Sequence, residues 1–382
     1  MYKIRRLDRG EIHLLIDFYS YSSGLSILED RVKEKGIIGA FSEEITLNMF
    51  NVPINIEPER ELKVVLSSRN ALCEIFIKRY YEFKDVIPFV SEYNGEIVGA
   101  VYLVRPKINN EIALYESLHI HPKHRRRGLG SKLTKACLDY LEKERVKAVF
   151  LTSGGETTPA YRGIYLKFGF MDLTSIKGAW MGKFFGIDSP KKFIKEYYNT
   201  GEKEIFISDL SLGHYPGIQM LINSDTATLI KNYSLGIFKG VISKGLIVRN
   251  LLGKNANGII AKTIISDRKV VGFVTLSPLF NRITGLFRRE QPFAPEEAHI
   301  RLLDIYLSPY HWKKEIIVYI LDRVKETCRA EGVEKVYLYI GQFPTERCEL
   351  FKKVGFTIES VLEDRLRTEG KKYNIFLMSK SF

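Results

Sequence analysis

The stretch Glu116-Ser117-Leu118-His119-Ile120-His121-Pro122-Lys123-His124-Arg125-Arg126-Arg127-Gly128-Leu129-Gly130-Ser131 constrains the fold of this chain more than any other. Leu114, Glu116, Leu118 and Ile120 alternate with Tyr115, Ser117 and His119, the period of a strand. Beyond Gly130, Leu133, Ala136, Cys137, Tyr140 and Leu141 recur at helical spacing, and the helix is predicted to end near Val146. Lys147 to Thr152 reads as the next strand. A strand, a basic glycine turn and a helix start, in that order, bring backbone N–H groups, a helix N-terminus and three arginines to one point. Such a point binds phosphate. The glycines let the backbone approach an anion with no Cβ in the way.

Spacing narrows the ligand. A nucleotide-triphosphate loop needs G-x-x-x-x-G-K-[ST], which this turn lacks. A dinucleotide turn needs a third glycine, and Leu133 stands at that position. What remains is Arg125-x-x-Gly128-x-Gly130. A solvated basic turn and a nucleic-acid patch are plainer readings of the same residues. Neither explains glycines placed where a strand meets a helix.

This pattern resembles the acetyl-CoA pyrophosphate loop, Q/R-x-x-G-x-G/A, of the GNAT N-acetyltransferases. Two further signals accompany it. Tyr165-Leu166-Lys167-Phe168-Gly169-Phe170 is similar to the Tyr-x-x-x-Gly-Phe signature that ends the family's fourth helix, and Phe89 to Val101 reads as a hairpin turning at Asn94-Gly95. The resemblance covers roughly residues 1–185. It implies acetyl-CoA as co-substrate, held by Arg125, Arg126, Arg127, Gly128, Leu129, Gly130 and Ser131. It also implies that backbone groups of Leu118, His119 and Ile120 hold the pantetheine arm almost as an added strand. The N–H of Ile120 or Leu118 would then polarise the thioester oxygen. The family often has Asn seven residues before the tyrosine, contacting CoA; the shorter Thr158 stands there.

Acetyl transfer to an amine needs a polarised thioester, a deprotonated amine and a stabilised leaving thiolate. Glu116 is the candidate base. Strict alternation puts it in register with Leu114, Leu118 and Ile120, on an otherwise apolar face, where desolvation should raise its pKa. The resemblance agrees, since the family often has Glu nine residues before the loop's Q/R. A structural ion pair or a solvated strand edge is the alternative. Tyr165 is the candidate acid, because a phenol is protonated at neutral pH. Tyr161 is a substitute one turn earlier, and a core aromatic is the plainer reading. His119, His121 and His124 invite a metal reading, but no Cys or Asp ligand is nearby and no metal is expected.

The second half repeats the first. Glu96-Ile97-Val98-Gly99-Ala100-Val101 matches Lys269-Val270-Val271-Gly272-Phe273-Val274; Leu118 to Pro122 matches Ile305 to Pro309; Lys167 to Phe170 matches Lys353 to Phe356. The expected fold is α/β, an α+β mixed sheet, as two tandem GNAT-like acyl-CoA N-acyltransferase folds: a catalytic domain at 1–186, a connector helix at 187–202 and a degenerate domain at 203–382. Counted from the shared proline, Trp312 replaces Arg125, Glu315 replaces Gly128, Ile317 replaces Gly130 and Leu303 replaces Glu116; Phe351 replaces Tyr165. A carboxylate and a branched side chain would repel and obstruct a pyrophosphate. The second copy therefore reads as structural, or as a wall of the acceptor site. An insertion within 280–296, carrying Arg282, Arg288 and Arg289, reads as a surface loop.

A formal charge of +13 suits an anionic cofactor. A nucleic-acid binder should interleave aromatics with its basic residues, and no such stripe is found. Cys73, Cys137, Cys328 and Cys348 form no C-x-x-C pair, so reduced thiols in a cytoplasmic protein are expected. There is no signal-peptide pattern at the N-terminus and no apolar run of the roughly 18 residues a membrane helix needs. The acceptor amine, on a small molecule or on a peptide or protein, is unknown; the resemblance places its determinants in 12–35, with Tyr19, Tyr21, Glu29 and Asp30. A non-catalytic acyl-CoA-binding or sensor protein is the competing class; it would lack Glu116 or Tyr165, and both are present.

Overall fold

Asn94 and Gly95 both take positive φ, 51° and 85°, the geometry of a two-residue hairpin turn. In the computed structural model this hairpin sits in the first of two units, Met1–Pro190 and Lys191–Phe382. The structure describes residues 1–15, 18–19, 84–106, 108–187, 189–201, 203–224, 228–233, 237–238, 259–278, 299–368 and 370–382. The expectations for Tyr21, Glu29, Asp30, Cys73 and the 280–296 insertion lie outside these residues.

The first unit runs β1 (Tyr2–Arg6), β2 (Lys84–Tyr93), β3 (Glu96–Pro106), β4 (Ile112–Ile120), α1 (Leu129–Lys143), β5 (Ala148–Leu151), a helical turn at Tyr161–Tyr165, β6 (Met171–Asp172) and β7 (Met181–Phe184). Its sheet has the order β1-β2-β3-β4-β5-β7-β6, and the β4–β5 pair is parallel. The apolar stripe of α1 (Leu133, Cys137, Leu141) is buried in one cluster with Val101, Leu103, Ala113 and Tyr115 of the sheet. Burying each such leucine contributes about 1.5–3 kcal/mol. The helix ends at Lys143, slightly earlier than predicted.

The second unit follows with α2 (Pro190–Tyr198), β8 (Ile205–Asp209), α3 (Tyr215–Ser224), the short pair β9 (Ile230–Asn232) and β10 (Ile237–Phe238), β11 (Ile260–Ser266), β12 (Lys269–Pro278), β13 (Ile300–Leu307), α4 (Lys314–Ala330), β14 (Lys335–Gly341), α5 (Thr345–Lys353), β15 (Thr357–Thr368) and β16 (Lys371–Ser381). Its sheet order, β15-β16-β14-β13-β12-β11-β8, is that of the first unit element for element. The α/β mixed sheet in two tandem copies is therefore the fold. Cys137, Cys328 and Cys348 are free and buried.

The second unit holds a buried histidine. His311 is 5% exposed; its Nε2 lies 3.1 Å from Thr200 Oγ1 and its Nδ1 lies 2.6 Å from Ser308 Oγ. Burial, then the charge of Lys313, push its pKa down to about 4. Because the unfolded chain binds the proton more tightly, stability is lost as pH falls from about 6.5 to about 4, by about 3 kcal/mol in full. Melting temperatures between pH 7 and 4 should fall less steeply for His311→Asn than for the wild type. Parallel curves would remove His311 as a source of acid sensitivity.

Candidate active site

Strand β4 carries the site, and a bulge shapes it. Ala100 pairs with His119 and Tyr102 with Glu116, so Ser117 and Leu118 together face the single residue Val101. Ser117 takes φ 56°. One extra residue flips every side chain beyond it to the other face. The predicted alternation thus fails at Ser117. Leu118 and Ile120 pack on the α1 side with Ala113 and Tyr115, while Glu116 shares the opposite face with its cross-strand neighbour Tyr102. The period-2 reading had no means of locating an inserted residue. Glu116 is 5% exposed.

Beside this bulge the sheet opens. β4 and β5 pair only at Ile112–Leu114 with Ala148–Phe150. Past Leu114 no strand pairs with that edge of β4 among the described residues. The His121 N–H bonds Val98 O on the β3 side, so alternation turns the polar groups of Ile120 to the open edge.

At the foot of the opening lies the basic turn. Arg126 (φ 61°) and Gly128 (φ 74°) are left-handed, and Gly128 caps α1. Lys132 N–H bonds Gly128 O, so the N–H groups of Gly128, Leu129, Gly130 and Ser131 precede the helical ladder. The two glycines serve different needs. A Cβ on Gly128 would meet nothing within 4 Å, so its requirement is the positive φ; a Cβ on Gly130 would lie 2.7 Å from Ile164 Cδ1, the end of a side chain that would have to turn aside. Thr134 Oγ1 donates to Gly130 O (2.8 Å) and accepts from Tyr115 Oη (2.8 Å), tying the helix start to β4. Arg125 Nε donates to Ile120 O (3.1 Å), and the Arg127 guanidinium lies 5.9 Å from the Tyr2 ring centroid.

The helical turn Tyr161–Tyr165 is wound as π-helix and stops at Gly169, φ 81°. Both tyrosines are buried in the cluster under α1. Tyr161 Oη donates to Asp172 Oδ2 (2.5 Å); that bond first, then burial, pushes its pKa up to about 12. Tyr165 is 6% exposed and packs edge-on against Tyr115 and Phe170, each at 5.8 Å. Burial, then the Glu116 carboxylate, push its pKa well above the usual phenol range. The Thr158 hydroxyl donates to Gly155 O (2.9 Å) within its own loop. Of the three histidines, His119 packs on Phe18, whereas His121 and His124 meet edge-on at 5.7 Å, the His121 ring nitrogen accepting from Lys123 N–H and His124 meeting Tyr2 Oη. Among the described residues no three His, Cys, Asp or Glu side chains are grouped to hold a metal ion, and no helix is long and apolar enough to cross a membrane.

The profile of the acetyltransferase (GNAT) family matches residues 61–170 and again 242–356, once in each copy. The chain belongs to the GNAT family. Similar solved structures include a ribosomal-protein-alanine N-acetyltransferase from Brucella melitensis (17% identity over 46% of this chain and 99% of that one, TM-score 0.37). They also include a GNAT superfamily phosphinothricin acetyltransferase from Sinorhizobium meliloti in complex with AcCoA (17%, 47% and 88%, TM-score 0.37). A third is a GNAT-family acetyltransferase from Streptococcus pneumoniae (18%, 47% and 100%, TM-score 0.35). Comparison with curated protein sequences finds no match.

The two GNAT copies differ where the first is specialised. In the second, β12 and β13 pair without a break from Gly272–Leu307 to Pro278–Arg301. With no bulge, the residue opposite Thr275, the counterpart of Tyr102, is Asp304. Counting from the proline had put Leu303 in the place of Glu116; the missing residue shifts the match by one. The second copy therefore keeps a carboxylate at this position, 3% exposed, whose Oδ1 accepts the Tyr233 N–H (2.7 Å). Its glycine turn is gone. α4 begins at Lys314, two residues earlier relative to the proline than α1, so Glu315 lies inside the first helical turn. There its own carboxylate faces the positive end of the helix. Trp312 Nε1 donates to Leu307 O (3.1 Å), as Arg125 does to Ile120 O, and Arg347 covers the indole at 4.0 Å.

Proposed function

We propose that this protein transfers an acetyl group from acetyl-CoA to the primary amine of an acceptor, and that the first copy performs the chemistry. The observation that supports this reading is that Glu116 on β4, and Tyr165 packed on Tyr115 of the same strand, lie just past the point where β5 leaves it, on the strand that leads into the turn Arg125 to Ser131. Free N–H groups and arginines suit the CoA phosphates. The open edge of Leu118 to Ile120 suits an extended pantetheine arm. The amine nitrogen attacks the thioester carbon, and Glu116 takes its proton, directly or through water. The C–S bond breaks and the departing thiolate takes a proton from Tyr165. Part of the raised Tyr165 pKa comes from the Glu116 charge. That part vanishes once Glu116 is protonated, so the acid strengthens at the step that needs it. The bond from Tyr161 Oη to Asp172 favours Tyr165 over Tyr161 for this role.

The second copy serves as structure. Names among the solved relatives cover both ribosomal-protein-alanine and phosphinothricin acetylation, so the acceptor screen should include peptides and small amines. Free thiol released from acetyl-CoA across such a panel tests the reading; no release above background with any amine class would reject it.

Glu116→Gln should depress kcat/KM most at low pH, where the amine is protonated and help is needed. The deficit should shrink toward the amine's own pKa. A mutant-to-wild-type ratio that stays flat across pH, with a lowered melting temperature, would return Glu116 to a structural role.

A further inference from the structure

The bulge in β4 is held from outside the sheet. Tyr19, on a helical segment at 12–15 and 18–19, donates its hydroxyl to the Ser117 carbonyl at 2.5 Å. The ring is 6% exposed and packs edge-on against Tyr102 at 6.0 Å; Phe18 packs on His119 at 5.7 Å. The Ser117 carbonyl and the Leu118 N–H belong to one planar trans peptide, so they point in opposite directions. Fixing the carbonyl aims the N–H. A hydrogen bond accepted by the carbonyl also polarises the peptide and strengthens that N–H as a donor.

The second copy is a control within the same chain. The turn after β1 closes Glu11 N–H onto Asp8 O, and the turn after β8 closes His214 N–H onto Ser211 O. Counting on from these turns puts Ile222 at the place of Tyr19. That copy has an unbroken β12–β13 ladder and no glycine turn. The hydroxyl and the bulge it holds are present together in one copy and absent together in the other.

We propose that Tyr19 is a positioning residue: through the Ser117 peptide it holds the Leu118 N–H on the thioester oxygen and so couples the N-terminal helical segment to polarisation of the acetyl group. This rests on the acetyl-transfer reading. The test is isotope-edited infrared spectroscopy of acetyl-CoA, labelled with ¹³C at the thioester carbonyl, bound to the full-length chain. In the wild type the carbonyl band should lie below its position in free acetyl-CoA. In Tyr19→Phe most of that shift should be lost, with the acetyl-CoA Kd changed less than about threefold. Turnover with hydroxylamine as a generic nucleophile should fall about tenfold, in line with a lost second-tier hydrogen bond. Phe18→Leu, which disturbs packing of the same segment but spares the hydroxyl, should keep the wild-type band. An unmoved band in Tyr19→Phe, or an equal loss in Phe18→Leu, overturns the clamp alone. A wild type that does not bind acetyl-CoA overturns the transfer reading and the clamp with it.

Discussion

Tyr165→Phe should lower kcat by about 10²–10⁴-fold, the usual worth of general acid catalysis, while the acetyl-CoA Kd barely moves. The split is expected because, in the proposed mechanism, the hydroxyl would act on the leaving thiolate, whereas the ring supplies the packing. Phenylalanine keeps the edge-on contacts with Tyr115 and Phe170. No described residue hydrogen-bonds the Tyr165 hydroxyl, so its removal orphans no protein partner and the fold should be unaffected. The contrast is Tyr161→Phe. There the lost hydroxyl leaves Asp172 with one bond fewer, to the Gly178 N–H alone among the described contacts, so stability should fall more than kcat. Single-turnover mixing separates chemistry from product release. An unchanged chemical rate in Tyr165→Phe would leave that tyrosine as a core aromatic.

Gly128→Glu should abolish acetyl-CoA binding, and the wild type should bind one acetyl-CoA per chain. Gly128 has φ 74° and nothing within 4 Å of its Cβ position, so a side chain fits but its backbone is strained by roughly 1–3 kcal/mol. The carboxylate adds repulsion toward the pyrophosphate, about 4 kcal/mol per charge pair at 4 Å near a protein surface. The strain weakens the fold of the turn, and the repulsion by itself predicts affinity lowered at least about 100-fold. Gly128→Asn, neutral and tolerant of the left-handed region, should lose far less. Glu315→Gly in the second copy should leave acetyl-CoA binding unchanged, because α4 has absorbed that turn and Trp312 with Arg347 fills the neighbouring space. Calorimetry reads both values. A stoichiometry near two, or tight binding by Gly128→Glu, would place the cofactor elsewhere.

Much of this was legible in the sequence because local rules write it there. Gly128 marks a left-handed cap, Asn94-Gly95 marks a hairpin, and the spacing of Leu133, Cys137 and Leu141 marks a buried helix face; each depends on a residue's own backbone or its near neighbours. The repeat was legible for the same reason, since Gly99 and Gly272 hold the same crowded strand position, where a Cβ would lie within 2.6 Å of the neighbouring strand. What tertiary structure alone decided concerns pairing across the sheet. Whether Ser117 takes a positive φ and inserts a residue depends on what stands opposite, Val101, and on what holds its carbonyl, Tyr19. Neither is near Ser117 in sequence. That choice moved Leu118 and Ile120 to the other face, and its absence made Asp304 the counterpart of Glu116. Likewise the sequence offers Tyr165 with Tyr161 as its substitute one turn earlier, and only the fold shows that the Tyr161 hydroxyl is bonded to Asp172. Periodicity fixes which residues lie inside; register, set by partners far along the chain, fixes which of them meet.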